Sequence, residues 1–180
     1  MTSSAAVGSP RHRTSAEASP PAPRMGPRAC AWAGFAVVLA YAAFAALQIM
    51  VLNPRAAAPG RSLAVIRDEV AAAGESLGHS FALIVLSVGV VLAVAGLIFA
   101  YAAPQLRRAP VTLYFLLLLV CGAPGYFFAS FASGMALADT YGITGEDHSR
   151  WSVVLFAASG AALLAALVLG LVALSGRRRH

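Results

Sequence analysis

The sequence predicts an all-α integral membrane protein, with four transmembrane helices in a bundle and a disordered N-terminal tail. Hydrophobic residues make up 59% of the 180 residues and charged residues only 11%, whereas soluble domains carry about 25% charged residues. The mean hydropathy is +0.77. Four uncharged runs are each long enough to cross a bilayer as a helix, which takes about 20 residues. They define a transmembrane domain over 29–175.

Residues 1–28 form a basic segment rich in Pro, Ser and Ala, which we expect to be a disordered tail. It holds five of the ten prolines and four arginines, against the single acid Glu17. Such a segment has too little apolar surface to offset the entropy lost on ordering. One interpretation is a docking or phosphorylation tail attracted to anionic headgroups. The favoured one is an extension that only follows the positive-inside rule.

The first predicted span, 29–52, contains twenty-four residues without a charge. A cleaved signal peptide is the alternative, because the three alanines at 56–58 resemble a cleavage site. The apolar core of a signal peptide is only about 7–15 residues long, so a retained membrane anchor is favoured. We expect the chain to break at 53–54 and 59–60, where Asn-Pro and Pro-Gly pairs occur.

A short amphipathic helix is predicted in the connector 53–80. Apolar residues recur there at spacings of three and four, which is typical of one helix face: Leu63, Ile66, Val70, Ala73 and Leu77. Gly74 is expected to end this helix early. The apolar stripe is predicted to lie on the outer membrane interface or to cover the end of the bundle, and a groove for a partner is the less favoured alternative.

The second and third spans, 81–103 and 111–137, form a predicted transmembrane hairpin. The only charges in their short connector are Arg107 and Arg108. In the second span, small residues four apart predict sites where helices approach closely, as at Gly89 with Ala93. A similar pair follows at 96 and 100.

Pro124 is predicted to kink the third span, because it cannot donate a hydrogen bond to the carbonyl of Val120. The favoured interpretation is a bent packing helix, since only Cys121, Ser130 and Ser133 are polar nearby. The alternative is a hinge or polar notch that lets a ligand or an ion pass.

The fourth span, 152–174, carries a predicted packing ridge of small residues four apart: Ala158, Ala162, Ala166 and Gly170. Small side chains allow close backbone approach in a membrane. We expect this ridge to be the central contact face of the bundle, or the face that binds a membrane-protein partner or a second copy. A basic C-terminal segment, 176–180, follows.

The positive-inside rule orients these spans. With both termini in the cytoplasm, nine arginines are cytoplasmic and four are external, and six of the seven acids are external. The rule therefore predicts a multi-pass protein of the cell membrane with cytoplasmic N- and C-termini. The chain contains thirteen Arg and no Lys, which together with abundant Ala suggests a high-GC bacterial genome.

One cluster of candidate ligands occurs, in the predicted external loops: Glu75, His79, Asp139, Glu146, Asp147 and His148. Carboxylates and imidazoles of this kind bind calcium or zinc where two loops converge. Their spacing matches no known ligand pattern, and acids at a helix start are explained by capping and by the helix dipole. We therefore predict no metal, catalytic or cofactor-binding residue.

The predicted spans contain no Asp, Glu, Lys, Arg or His, which argues against a proton- or ion-coupled transporter. A small multidrug exporter also has four short helices, but it carries a membrane-embedded acid. Cys30 and Cys121 do not make the C-x-x-C pair of a disulfide-forming oxidoreductase. The arginines lie beside apolar runs rather than in one patch, which argues against nucleic acid.

We therefore expect a structural or accessory subunit, not an enzyme, that lies in the lipid bilayer and associates with other membrane proteins. Its predicted working parts are the ridge of the fourth span and the external helix of the first connector. The alternative is a small uncoupled channel or transport component that uses the kinked third helix.

Overall fold

A computed structural model describes residues 26–103 and 105–177. Residues 1–25 of the predicted disordered tail and 178–180 of the basic C-terminal segment lie outside the described residues. The remaining residues include Pro27 and Arg28, which are helical in α1 and not part of a disordered tail, and 176–177, which end α7. The described residues form helices and no strand. Four of these helices are long and apolar enough to cross a membrane, with mean hydropathies from 1.9 to 2.9. For this part of the chain, the prediction of an all-α fold with four such helices is confirmed.

In chain order the helices are α1 (Pro27–Leu47), a π-helical segment (Gln48–Leu52), α2 (Asn53–Ala57), α3 (Leu63–Ala72), α4 (His79–Ala102), α5 (Arg108–Val120), α6 (Gly122–Tyr141) and α7 (Ser152–Arg177). Continuous segments combine into four spans: Pro27–Ala57, His79–Ala102, Arg108–Tyr141 and Ser152–Ser175. We call the end where α1 and α5 begin the basic end. The opposite end, with α2, α3 and the loop 142–151, is the capped end.

Asn53 and Pro54 do not break the chain, contrary to the prediction. Helical structure continues to Ala57, and the break follows, with Gly60 at φ +81°. Pro54 is the second residue of α2 and directly follows the π-helical segment within one continuous span. The π-helical segment before it adds a residue to the turn, so the chain passes the Asn-Pro pair without leaving the helix.

α3 covers the capped end of the bundle, which is one of the two positions predicted for it. Ile66 and Val70 are fully buried, and Leu77 is buried with them against α6. Ala73 is exposed, because the helix ends there and Gly74 takes φ +80°. The predicted early stop at Gly74 is therefore confirmed.

α4 packs on α1 and α5 through part of its small-residue pattern. Ala93 and Ala100 are buried in one apolar cluster with residues of α1 and α5. The ring of Tyr114 lies directly over Gly96, where a Cβ has no room. A Cβ on Gly89, in contrast, would contact nothing within 4 Å. Three of these four positions are thus used for helix packing.

The third span is interrupted at Cys121, between α5 and α6. Pro124 has no N–H to bond the Val120 carbonyl, and the turn that contains this gap loses regular helical geometry, with ψ −11° at Cys121. The ring of Tyr41 in α1 fills the space beside Gly122, so that a Cβ would not fit there. The interruption is therefore also a close packing point between two spans.

The predicted ridge of α7 is not a single face. Ala162 and Ala166 are buried, but Ala158 is exposed, and a Cβ on Gly170 would meet nothing within 4 Å. Residues four apart on a helix are offset by about 40°, so four of them in succession drift by about 120° around it. The buried face alternates spacings of three and four instead: Ser152, Leu155, Ser159, Ala162 and Ala166.

Candidate functional site

Polar side chains from several distant segments meet at the capped end. We call this group the polar cluster, and it consists of Gln48, Asn53, Tyr126, Asp147, Ser149 and Ser152. The π-helical segment, α2, α6, the 142–151 loop and α7 each contribute to it. Gln48, Asn53, Tyr126 and both serines are buried.

Gln48 is 0% exposed, and its amide is bonded through both of its polar atoms to one residue. Its Nε2 donates to the carbonyl of Ser149 at 3.3 Å, and its Oε1 accepts from the Ser149 hydroxyl at 3.2 Å. A buried amide without partners costs about 1–3 kcal/mol per unmade bond. This double contact ties the first span to the loop before the fourth, 101 residues away in sequence.

Asn53 holds the backbone of the same loop. Its Oδ1 accepts from the N–H groups of His148 at 2.7 Å and Ser149 at 3.3 Å. The Ser152 hydroxyl donates to the Ser149 carbonyl at 3.2 Å. Backbone groups outside a helix need such partners when they are buried. Side chains of the cluster thus replace water around residues 148–149.

The π-helical segment explains why Gln48 and Asn53 act together. Residues five apart in an α-helix point about 140° away from each other. Here the N–H of Asn53 donates to the carbonyl of Gln48, an i→i+5 bond that stacks the two residues on one side. Both amides therefore reach the same loop. Single π-helical turns occur frequently at functional sites.

Tyr126 and Asp147 form the second half of the cluster. Tyr126 is 1% exposed, and its hydroxyl donates to the Asp147 carboxylate, with 2.9 Å to each oxygen. Its ring meets Phe156 edge-on, with centroids 5.8 Å apart. Burial raises the pKa of the Asp147 carboxyl, and hydrogen bonds from Tyr126 and Ser152 and the charge of His148 oppose that rise. The carboxylate therefore takes up a proton at a higher pH than an exposed Asp.

The candidate external ligands are not brought together. Within 26–103 and 105–177, no three His, Cys, Asp or Glu side chains lie close enough to hold a metal ion. The Asp147 carboxylate is bonded to Tyr126 instead. Glu146 accepts from the Thr144 hydroxyl at 3.0 Å, and His148 Nε2 lies 3.0 Å from the Thr144 carbonyl.

Glu75 and His79 lie elsewhere, in a polar cavity of about 280 Å³ between α3 and the start of α4, which Arg67 also lines. Among the described residues, His79 Nε2 is buried and has no hydrogen-bond partner. Asp139 is exposed near the end of α6. Within the described residues, Glu75, His79 and Asp139 therefore do not join Asp147 or His148 in a metal site.

Sequence reasoning assigned Asp147 to a ligand set or a helix cap and gave no site role to Gln48, Asn53, Tyr126 or Ser149. One signal was available. Gln48 is the only amide in the uncharged run 29–52, and a polar side chain inside an apolar helix needs a partner. The identity of that partner could not be predicted, because Ser149 lies in a loop whose sequence does not distinguish it from other connectors.

No protein-family model, curated protein or solved structure matches this chain. The chemistry of the polar cluster is therefore argued from its geometry. Its amide, hydroxyl and carboxylate groups bond to one another and to the loop backbone. An arrangement of this kind fixes a loop in place on the ends of helices.

Proposed function

We propose that this protein is a non-enzymatic accessory subunit of the cell membrane that binds a helix of another membrane protein. The observation that carries this proposal is a groove of about 490 Å³ between α5 and α7, on the outside of the bundle. Large apolar side chains on its walls, such as Leu164 at 66% exposed, face outward. Protein surface of this kind is covered in a membrane either by lipid or by another helix.

The small residues of the groove favour a helix over lipid. Ala165 lines the groove, and the exposed Ala158 and Ala161 lie beside it on α7. Lipid tails are as apolar as Leu, so helices associate in membranes by close backbone approach and by interhelical hydrogen bonds. Thr112 adds a hydroxyl to the opposite wall. The groove thus allows a partner helix both close backbone approach and an interhelical hydrogen bond.

The polar cluster supports the same function. By joining the first span and α6 to the loop before α7, it holds the spans in one arrangement at the capped end. A surface that is rigid before binding loses less conformational entropy when a partner docks. Because the groups of the cluster are bonded to one another, we assign the cluster a structural role and not a catalytic one.

We further propose that the basic end lies in the cytoplasm of a bacterial cell and the capped end lies outside. This orientation puts nine arginines inside and four outside, as the positive-inside rule requires. We expect a membrane-impermeant reagent to label, in intact cells, a cysteine introduced at Gly60 or Gly145. A cysteine introduced at Arg107 should not be labelled. Labelling at Arg107 would reverse the orientation.

The rival function is an uncoupled channel that uses the interruption at Cys121. A cavity of about 330 Å³ adjoins this point, and apolar residues of α1, α4, α5 and α6 line it together with Tyr41 and Tyr126. An apolar lining of this kind favours hydrocarbon over water or ions. We therefore place the accessory function first.

The test compares Ala165→Leu with a matched control, Gly160→Leu. Gly160 is also exposed on α7, but nothing lies within 4 Å of a Cβ there. Each variant is cross-linked in native membranes, solubilised and purified, and its partners are quantified by mass spectrometry. We expect one membrane protein to accompany the wild type and Gly160→Leu in fixed ratio and to be lost from Ala165→Leu.

Two outcomes would contradict the proposal. If Ala165→Leu keeps the same partner, the groove is not the binding surface. If the protein purifies alone and passes solutes in proteoliposomes, the channel interpretation is correct. A homodimer that Ala165→Leu dissociates would identify the partner helix as a second copy of α7 or α5.

A further inference from the structure

A different cavity, of about 410 Å³, lies at the basic end between α4 and α5. Ala95 and Phe99 line it from α4, Leu106 from the connector, and Pro110 and Tyr114 from α5. Ligand pockets have volumes of about 300–1,000 Å³ and mostly apolar walls. This cavity fits that description, and it is separate from the α5–α7 groove.

The Tyr114 side chain gives the cavity a fixed wall. Its hydroxyl donates to the carbonyl of Leu92 at 2.7 Å, and its ring lies over Gly96. The phenol therefore spans from α5 to α4 and separates the two helices at this level. The space between this ring and the connector is what forms the cavity.

Two exposed arginines adjoin the cavity lining in sequence, and neither forms a salt bridge within the described part of the chain. Arg107 and Arg108 are exposed and lie in sequence between the lining residues Leu106 and Pro110. The one salt bridge of the described residues joins Arg61 to Glu69, at the capped end. Of the seven acids, Glu17 lies outside the described residues, and the other six, between 68 and 147, lie at the capped end. α5 has no acid in its first turn either.

Aromatic residues indicate the depth of this end in a membrane. The Trp32 Nε1 donates to the Tyr101 hydroxyl at 2.9 Å, and the Arg28 guanidinium lies 5.1 Å above the Tyr101 ring. Trp and Tyr concentrate where headgroups meet hydrocarbon. Tyr101 follows the cavity residue Phe99 on α4 by two positions. Arg107 and Arg108 thus lie at headgroup depth, and the apolar cavity lies on the hydrocarbon side of them.

We propose that this cavity binds one acyl chain of an anionic phospholipid whose phosphate is held by Arg107 and Arg108. Guanidinium groups bind phosphate by paired, charge-assisted hydrogen bonds. Basic pockets between transmembrane helices bind anionic headgroups in this way. The N-terminus of α5 adds its own partial positive charge to the arginines. A zwitterionic lipid with the same chains fills the cavity but gains less from these charges.

The experiment titrates the purified, delipidated full-length protein in detergent with dioleoyl phosphatidylglycerol or dioleoyl phosphatidylcholine and counts bound lipid by native mass spectrometry. We expect wild-type protein to bind phosphatidylglycerol more tightly. The double variant Arg107→Gln/Arg108→Gln is expected to bind phosphatidylglycerol roughly twenty-fivefold more weakly, about fivefold for each arginine, and to lose a much smaller factor in its affinity for phosphatidylcholine. The control Arg55→Gln/Arg67→Gln removes the same charge at the capped end and is expected to change neither lipid.

A second pair of variants tests the acyl chain. Ala95→Leu puts bulk into the cavity from an exposed position and is expected to weaken both lipids. Ala157→Leu adds the same bulk on the exposed surface of α7 and is expected to weaken neither. Equal wild-type affinities for the two lipids, or an equal loss in the capped-end control, would overturn the headgroup assignment. Unchanged binding in Ala95→Leu would overturn the cavity as the chain site, and displacement of lipid by an equal concentration of inorganic phosphate would identify the free anion as the ligand.

Discussion

The capped and basic ends of this bundle are held together in different ways. At the capped end, side chains bond to backbone and side-chain groups about a hundred residues away, as Gln48 does with Ser149. At the basic end, helices meet mainly by shape, and the hydrogen bonds that cross between them, from Trp32 to Tyr101 and from Tyr114 to Leu92, are exposed. The Phe115 ring of α5 lies directly over Gly34 of α1, where a Cβ would not fit.

The difference follows from the connectors. The loop 142–151 is irregular and partly buried, so its backbone needs hydrogen-bonding partners, and the polar cluster supplies them. In the short connector between α4 and α5, the side chains of Gln105 and Arg107 are exposed and need no such partners. The capped end should therefore be sensitive to lost polar groups, and the basic end to added volume. The following predictions test this contrast, from the largest expected effect to the smallest.

Gln48→Ala is expected to give the largest loss of stability. It removes both hydrogen bonds to Ser149 and leaves a cavity at a site that is 0% exposed. Together these cost about 3–5 kcal/mol of unfolding free energy. Gln48→Met restores most of the volume but not the hydrogen bonds, and it should lose about half as much. Unfolding in mixed micelles measures both.

The matched control is Gln105→Ala, an exposed glutamine in the connector at the basic end. It is expected to leave the unfolding midpoint within error of the wild type. If Gln105→Ala and Gln48→Ala destabilise the protein equally, the two ends do not differ as described. If Gln48→Met matches the wild type, the cavity and not the hydrogen bonds explains the effect.

The architecture of the spans could be predicted because it depends on local properties. Uncharged runs, proline and glycine report on helix existence and helix ends residue by residue, as at Gly74, whose φ is +80°. The polar cluster could not be predicted, because it depends on which loop reaches Gln48. That choice depends on the single π-helical turn at Gln48–Leu52, and no simple sequence pattern specifies such a turn.

Gly34→Ala is expected to lower stability by about 1–3 kcal/mol through overpacking at the basic end. A Cβ at this position meets the Phe115 ring and its Cβ, and neither can move without disturbing the α1–α5 contact. Gly160→Ala is the matched control, because it adds the same methyl group to a helix where nothing lies within 4 Å. Thermal unfolding in detergent measures both, and equal midpoints for the two variants would show that the basic end tolerates added volume.

The α7 ridge shows where pattern reasoning fails for packing. Ala162 and Ala166 are buried as predicted, but Ala158 is not. A strict spacing of four drifts around a straight helix, and only a mixture of threes and fours stays on one side. Which mixture is buried depends on the neighbouring helix, and here it includes Ser152 and Ser159, which a search for small apolar residues passes over.

Tyr126→Phe is expected to cost about 1.5 kcal/mol, because it removes a hydrogen bond to a charged group. The ring and its edge contact with Phe156 are kept, so the packing of α6 should not change. The comparison is Tyr101→Phe at the basic end, where the lost bond to Trp32 is exposed and water replaces it. We expect about 0.5 kcal/mol or less there. A larger loss for Tyr101→Phe would reverse the contrast between the ends.

The smallest expected effect is a pH dependence that belongs to the capped end alone. Burial raises the pKa of the Asp147 carboxyl above its ordinary value of about 3.9. Between these two values the folded state binds more protons than the unfolded state, so stability rises as the pH falls through that window and is lost as the pH rises. Asp147→Asn lacks this ionisation, whereas Asp139→Asn removes an exposed carboxylate near the end of α6. When the pH is lowered from 7 to about 4.5, we expect the unfolding midpoint of the wild type to rise relative to that of Asp147→Asn. The difference between the midpoints of the wild type and Asp139→Asn should stay constant. If the midpoint of the wild type falls relative to that of Asp147→Asn instead, the hydrogen bonds from Tyr126 and Ser152 affect the pKa of Asp147 more than burial does. The carboxylate then stabilises the capped end in its charged form.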